Sequence, residues 1–373
     1  MKLKKIRKLL CCTLLLSISC TTFAQSTTEK LFKAQGFADS NGGTGGKIIY
    51  VSNLNNSGAG SLRDALNAQG ARVIAFKIGG VIDLEKKALS VHEPFLTIAG
   101  ETAPSPGITI IRGPISVKTH DVIIRHIRIR PGDAQAEKKS GWEVDGLSTS
   151  GADAYNIIID HCSFSWATDE NLSASGERTK GPEATSRKVT FSNCIIAEGL
   201  SDSTHAKGEH SKGSLIHDFC RDIAVIGNLY AHNKDRNPYF KAFTTGVIVN
   251  NLIYNPGSAA IKLNYSDKEW KESQYKPQNC RVCIEGNVLI HGSDTKRDLA
   301  LATGRGDAFF NDNLALDRFG NAAPLTSGSI NTLGERPVWP EGFQPLPSDQ
   351  VAEYVLNNAG ARPFDRDATD KRI

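Results

Sequence analysis

Six segments in the middle of the chain share one form, and this repetition limits the possible folds more than any other feature. They are VIIRHIRIR (122–130), IIIDHCSFS (157–165), VTFSNCIIA (189–197), IAVIGNLYA (223–231), GVIVNNLIY (246–254) and CIEGNVLIH (283–291). In each, an alternating apolar run meets a polar pair, and a second apolar run leaves it. A period of two marks strands. The second polar residue falls at His126, His161, Asn193, Asn228, Asn251 and Asn287, with a weaker copy at Asn313, so the steps are 35, 32, 35, 23, 36 and 26 residues. The shortest step reads as a bare coil and the others as coils with insertions. One such unit is too thin to bury its own apolar face, so units must stack. The prediction is an all-β chain: a right-handed, single-stranded parallel β-helix with long loops on one face. An Asn or His at the same bend of each coil would bond to its copies above and below. A β-sandwich would need tight hairpins, and Asn-Gly or Asp-Gly turns are scarce.

The flanks fit this plan. GSLRDALNAQG (60–70) reads as a short amphipathic helix before the first strands, suited to cover the open end of the stack. Residues 324–373 are Pro-rich, with one helical pattern in VAEYVLNNAGARP, and read as a tail packed along the outside. The N-terminus has a basic start, an apolar stretch from Leu9 to Ile18, and Thr22-Phe23-Ala24 as a cleavage site, the layout of a secretory signal peptide. Lipidation at Cys20 is a second reading, although Ser17 stands where Leu is usual. The expected organisation is a leader at 1–24 and one β-helix domain at 25–373. Within it, 25–100 holds the cap and first coils, and 324–373 the tail. The leader carries five of the 44 Lys and Arg and no acids, which leaves 39 basic residues against 40 acidic, a net −1. That balance excludes general nucleic-acid binding. No segment is long and apolar enough to span a membrane, and a secreted monomer, extracellular or periplasmic, is expected. Five Cys remain outside the leader, an odd number, and the lone Cys280-x-x-Cys283 is a weak metal or redox signal.

Four groups could carry chemistry. Asp145 and Asp169-Glu170 lie near core strands on successive coils, where stacked carboxylates suit a hard cation such as calcium. Arg236 precedes a Pro turn in DRNPYFK (235–241). HAKGEHSKGSLI (205–216) supplies His205, Lys207, His210 and Lys212. Two His five apart do not make a zinc motif, and these four read as donors to an anionic ligand. Asp160-His161, inside a strand pattern, reads as structural. There is no Gly-x-Ser-x-Gly elbow and no phosphate loop.

With these residues in view, the chain resembles the pectate lyases of polysaccharide lyase family 1. IIIDHCSFSW is similar to that family's Asp-His strand. RNPYFK (236–241) is similar to its Arg-x-Pro-x-x-Arg motif, with Lys241 for the second Arg, and KGSLIH (212–217) to its Lys-x-x-Leu segment. SGAGSLRDAL and AGARPFDRDATDKRI resemble the two ends of secreted bacterial members. The resemblance implies calcium-dependent β-elimination on de-esterified α-1,4-polygalacturonate. It implies Arg236 as the base and Lys212, with Lys207, on the substrate carboxylate. Lys241 would bind substrate, and Asp145 and Asp169 would hold calcium. Ser173 stands where a further acid is usual, and Glu170 is the candidate replacement. Three other readings stay open at this point: a calcium-free pectin lyase, a polygalacturonase, and a non-catalytic polysaccharide-binding β-helix.

Overall fold

The computed structural model describes residues 36–373. The leader and the Cys20 reading fall outside them. The described chain winds into coils whose strands stack in parallel, one coil on the next, as a right-handed β-helix. Three runs of pairing form three faces. The first runs from Lys47–Val51 through Val122–Arg125, Tyr155–Asp160, Arg187–Ser192, Arg221–Ile226 and Thr245–Val249 to Arg281–Glu285. The second runs from Gly80–Asp83 to Leu314–Leu316 and holds the strand that follows each polar bend. The third includes Leu147–Ser150, Glu170–Ser175, Lys212–Ile216, Tyr239–Phe240 and Ile261–Leu263. The long strand Ala302–Asn311 joins the first and third faces at one end.

The core is a set of columns, one residue per coil. Ile74, Ile98, Ile124, Ile159, Phe191, Val225, Ile248 and Ile284 are successive register partners. All eight are fully buried. Each such side chain contributes about 1.5–3 kcal/mol of burial. A coil alone would leave these side chains half exposed, which is why the stack forms as a whole.

The bend between the first and second faces corrects the polar column expected above. Two adjacent columns exist, and the sequence pattern crosses from one to the other. His126, His161, Asn193, Gly227, Asn250, Gly286 and Asp312 occupy the corner, all with φ between 46° and 68°. Asn and Gly tolerate that left-handed region best, and it turns the chain at a single residue. The bonded ladder is the next column: Cys162, Cys194, Asn228, Asn251, Asn287 and Asn313. Asn251 Oδ1 accepts from Asn228 N and Nδ2 at 3.0 Å each, and Asn287 Oδ1 accepts from Asn251 N and Nδ2 at 3.1 and 2.9 Å. Cys194 N donates to Asn228 Oδ1, and Cys162 N to Cys194 Sγ, so two thiols continue the ladder. His126 and His161 stack instead, with ring centroids 5.1 Å apart. Asp160 ties down His161 at 2.6 Å and accepts from Ser192 and Asn193, a structural role.

A second difference concerns the stretches between repeats. They are not loops throughout: each carries a short third strand. Those strands are polar on their outer side and place few residues in the core, so their periodicity is faint.

The helix α1 (Leu62–Leu66) buries Leu62, Ala65 and Leu66 against the first coils, capped by Ser61. In the tail, α2 (Ser348–Asn358) lays Val351 and Val355 over Ile195, Leu229, Leu252 and Val288, on the outside of the second face. Beyond it, α3 (Ala368–Arg372) presents the buried Asp370 to Arg128 at 3.1 Å and Arg130 at 2.8 Å. The five Cys among the described residues are buried and unpaired, Cys280 and Cys283 included. No helix among the described residues is long and apolar enough to cross a membrane.

Candidate active site

The third face gathers much of the predicted chemistry, because each of its strands begins at the same corner. Glu170 is the register partner of Lys212, and Lys212 bridges to Asp235 on the next coil. Asp145 sits two residues before Leu147, itself the partner of Leu172. Side chains far apart in sequence therefore form a row along the stack.

A second polar ladder lies under this row. Asn233 Oδ1 accepts from Gly199 N and Asn171 Nδ2, while Asn233 Nδ2 donates to Ile196 O and Asn237 Oδ1. All three Asn are buried, and they fix the backbone from which Asp169, Glu170 and Arg236 project. Arg236 itself has φ 65°. Gly213 allows the close approach of the two coils: a Cβ there would lie 2.4 Å from Arg236 O.

The structure brings one carboxylate cluster together. Oxygen atoms of Asp145, Asp169 and Glu170 lie within 4.8 Å of one another. Desolvation and the neighbouring Asp169 charge push the Asp145 carboxyl up to about 8. Burial also pushes Asp169 up, but the His210 hydrogen bond and charge outweigh it and hold Asp169 below the usual range. Crowded acids of this kind fit a hard cation, which would relieve their repulsion. Glu170 is ion-paired to Arg236. Burial lowers the Arg236 guanidinium, against the opposing charges of Asp169 and Asp145.

The cations form a second group. Lys212 and Lys262 share Asp235, at 3.5 and 3.1 Å. Burial pulls the Lys212 ammonium down, with Asp235 opposing and Lys262 adding to the fall. Lys262 and Arg236 both lie against the Tyr239 ring, at 5.2 and 5.7 Å from its centroid. Sequence reasoning missed Lys262. Its signal was the pattern Ile261-Lys262-Leu263, a strand with one outward cation in register with Tyr239.

His205 and His210 are placed differently from the expected anion donors. Both are buried and turn towards an acid: His210 Nε2 is 2.7 Å and His205 Nε2 3.7 Å from Asp169 Oδ1. Lys207 is exposed beside them. Lys241 is buried and ion-paired with Asp218 at 3.1 Å and Glu269 at 2.6 Å, which Arg178 also contacts.

A stacked-coil scaffold with a row of carboxylates, lysines and one half-buried arginine along one face fits a polysaccharide lyase of the parallel β-helix class, and the comparisons with known proteins agree. No family model matches the chain. The probable pectate lyase C of Aspergillus flavus is 33% identical over 373 residues, covering 95% of this chain and 79% of the relative. The chain belongs to the pectate lyase family. Among solved structures, a Bacillus subtilis pectate lyase matches with a TM-score of 0.59 at 14% identity, over 87% of this chain and 96% of its own. A pectate lyase bound to a hexasaccharide matches at 0.57 and 15% identity, over 88% and 96%. At those identities the likeness concerns the fold.

Proposed function

We propose that the chain is a secreted pectate lyase that cleaves de-esterified α-1,4-polygalacturonate by calcium-assisted β-elimination, releasing unsaturated oligogalacturonates. The observation that carries this reading is Arg236, half-buried and held against Glu170, one coil from Lys212 and beside Lys262. Secretion is supported by the leader pattern at residues 1–24, and the substrate by the family and by the hexasaccharide bound to a structural neighbour.

The reaction asks for little beyond charge placement. The proton on the carbon alpha to a uronate carboxylate is barely acidic, so the negative charge that develops on that carboxylate must be met by cations. Lys212 and Lys262 stand where they can take the carboxylate, since together they share the single acid Asp235. Calcium, held by Asp145, Asp169 and Glu170, supplies further positive charge there when bound. Arg236 removes the proton. The pair of the broken C–H bond forms the new carbon–carbon double bond, and the glycosidic oxygen on the adjacent carbon leaves with its own bonding pair and takes up a proton from solvent. No water is consumed. A guanidinium in bulk water keeps its proton, but burial lowers that of Arg236. Glu170 opposes this while it is paired to Arg236, so its turning to the cation site would free the base.

The test is the product. Incubation with polygalacturonate should give unsaturated, ultraviolet-absorbing ends, and a chelator should stop their formation. Arg236→Lys should lower kcat by about a thousandfold, within the range of a lost general base, with the fold unchanged. Saturated products, or full activity in that variant, would overturn the assignment.

A further inference from the structure

The corner that carries Arg236 continues past the site. Asn237 N donates to Ala260 O, Ile261 N to Leu301 O, and Leu301 N to Pro324 O. Pro324 therefore stands in the column of Asn237, three coils on, about 14 Å along the stack at the spacing of paired strands. The segment just before Arg236 is continued in the same way: Gly257 N donates to Asn233 O, and Lys296 N to Gly257 O. Where these columns lead, the surface opens into a cleft of about 530 Å³. His291, Thr295, Arg297, Arg318, Phe319 and Pro324 line it, and its size is that of a ligand site.

Two turns frame the cleft, and each is braced from within. On one side Asp317 Oδ1 accepts from Phe319 N and Asn321 N at 2.8 Å each, and Oδ2 from Asn321 Nδ2 at 3.0 Å. On the other, Gly292 N donates to Thr295 Oγ1, Asp294 N donates to Asn255 Oδ1, and His291 Nε2 lies 2.9 Å from Leu299 O. The side chains at the tips take no part in this bracing. Phe319 is 74% exposed, and the Arg318 guanidinium lies 4.7 Å from its ring centroid. Arg297 reaches only Asp298, at 3.5 Å, and both are exposed. A lone exposed phenyl is common on a protein surface; this one lines a cleft with two arginines.

We propose that the cleft is a distal subsite for the same acidic polysaccharide, holding a uronate residue about three coils from the bond that is cleaved. The inference rests on the lyase reading above. A 1,4-linked galacturonan is an extended chain in which each residue advances by a distance similar to the coil spacing, so a chain running along the stack past Arg236 arrives at the cleft. Each sugar ring offers an apolar face of C–H bonds, which suits Phe319, and one carboxylate, which suits the fork of an arginine. The acids of the lining are accounted for. Asp317 is held by three donors of its own turn, and Asp298, beside Arg297, can accept from ring hydroxyls. The consequence is a preference for long chains. A trimer placed across the scissile bond ends short of the cleft, whereas a hexamer reaches it.

The test compares chain lengths. Phe319→Ala and Arg318→Ala should each raise KM for hexagalacturonate by about tenfold with kcat unchanged, while KM for the trimer stays at the parent's value. Both side chains are exposed, so urea unfolding should match the parent. A second readout needs no turnover: on the slow Arg236→Lys background, calorimetry of hexagalacturonate binding should show the same tenfold loss when Phe319→Ala is added. Equal losses for trimer and hexamer, or a hexamer affinity that neither substitution moves, would overturn the subsite. Failure of the lyase reading shows separately, as the absence of unsaturated ends at every chain length, and the binding measurement still decides on the cleft.

Discussion

Calcium binding should expel a proton, and Asp145 sets how many. Its carboxyl is pushed up to about 8, from an ordinary value near about 4. The sign follows from competition. A proton on Asp145 must leave before the oxygen can serve a cation, so affinity rises with pH until the group is ionised. Relative to its high-pH limit, the apparent affinity should be about tenfold weaker at pH 7 and about a hundredfold weaker at pH 6. Binding at pH 7 should release about 0.9 proton, and at pH 9 about 0.1. Titration calorimetry in two buffers with different ionisation heats measures that release directly. Metal-free protein should show the complement: the folded state holds this proton more tightly than the unfolded chain, so its stability falls as pH rises from about 4 to about 8. Asp145→Asn should remove both pH dependences. Release below about 0.2 proton at pH 7, with flat affinity from pH 6 to 9, would refute the reasoning, because the burial of Asp145 and its crowding by Asp169 would then not exist in solution.

Two further substitutions test the scaffold. Asn251→Ala strips the acceptor from Asn228 N and Nδ2 and the donor from Val225 O. At about 1–3 kcal/mol for each stranded group, less what water recovers, urea unfolding should show a loss of about 3–5 kcal/mol; a loss under about 1 kcal/mol would mean the ladder does not bear load. Gly213→Ala forces Arg236 O away from a Cβ that would stand 2.4 Å from it. Displacement near an ångström should lower kcat/KM by about a hundredfold, with unchanged circular dichroism; unchanged kcat/KM would show that Arg236 needs no such precision.

How much of this was legible depends on which residues face the core. Coils rich in Ile and Val announce themselves, and the observed partners Ile157 with Val189 and Ile223 with Gly246 reproduce the 32 and 23 steps read from the chain. The bend was legible only to within one residue. Corner and ladder columns are adjacent and both polar, so Asn193 and Asn228 look equivalent although one turns the chain and the other bonds along the stack. Cys162 and Cys194 hid the ladder by replacing its amides with thiols. The third face was hidden because LSTS and KGSLI put few apolar residues inward. Asp145, Asp169, Lys212 and Arg236 were nameable because motifs mark them. The histidine pair was nameable but not its partner, since an insertion of that length can return anywhere; Lys262 had no motif at all.

The ladder of Asn228, Asn251 and Asn287 and the row of site residues on the third face stand at different corners of the coil, yet the first governs the second. Neighbouring side chains on a strand point to opposite sides, so a coil seated one residue out of step would turn Lys212 inward and offer the solvent a glycine or serine instead. The amide column forbids that slip, coil by coil. Errors of alignment at the back of the wall would thus be read as lost chemistry at its front.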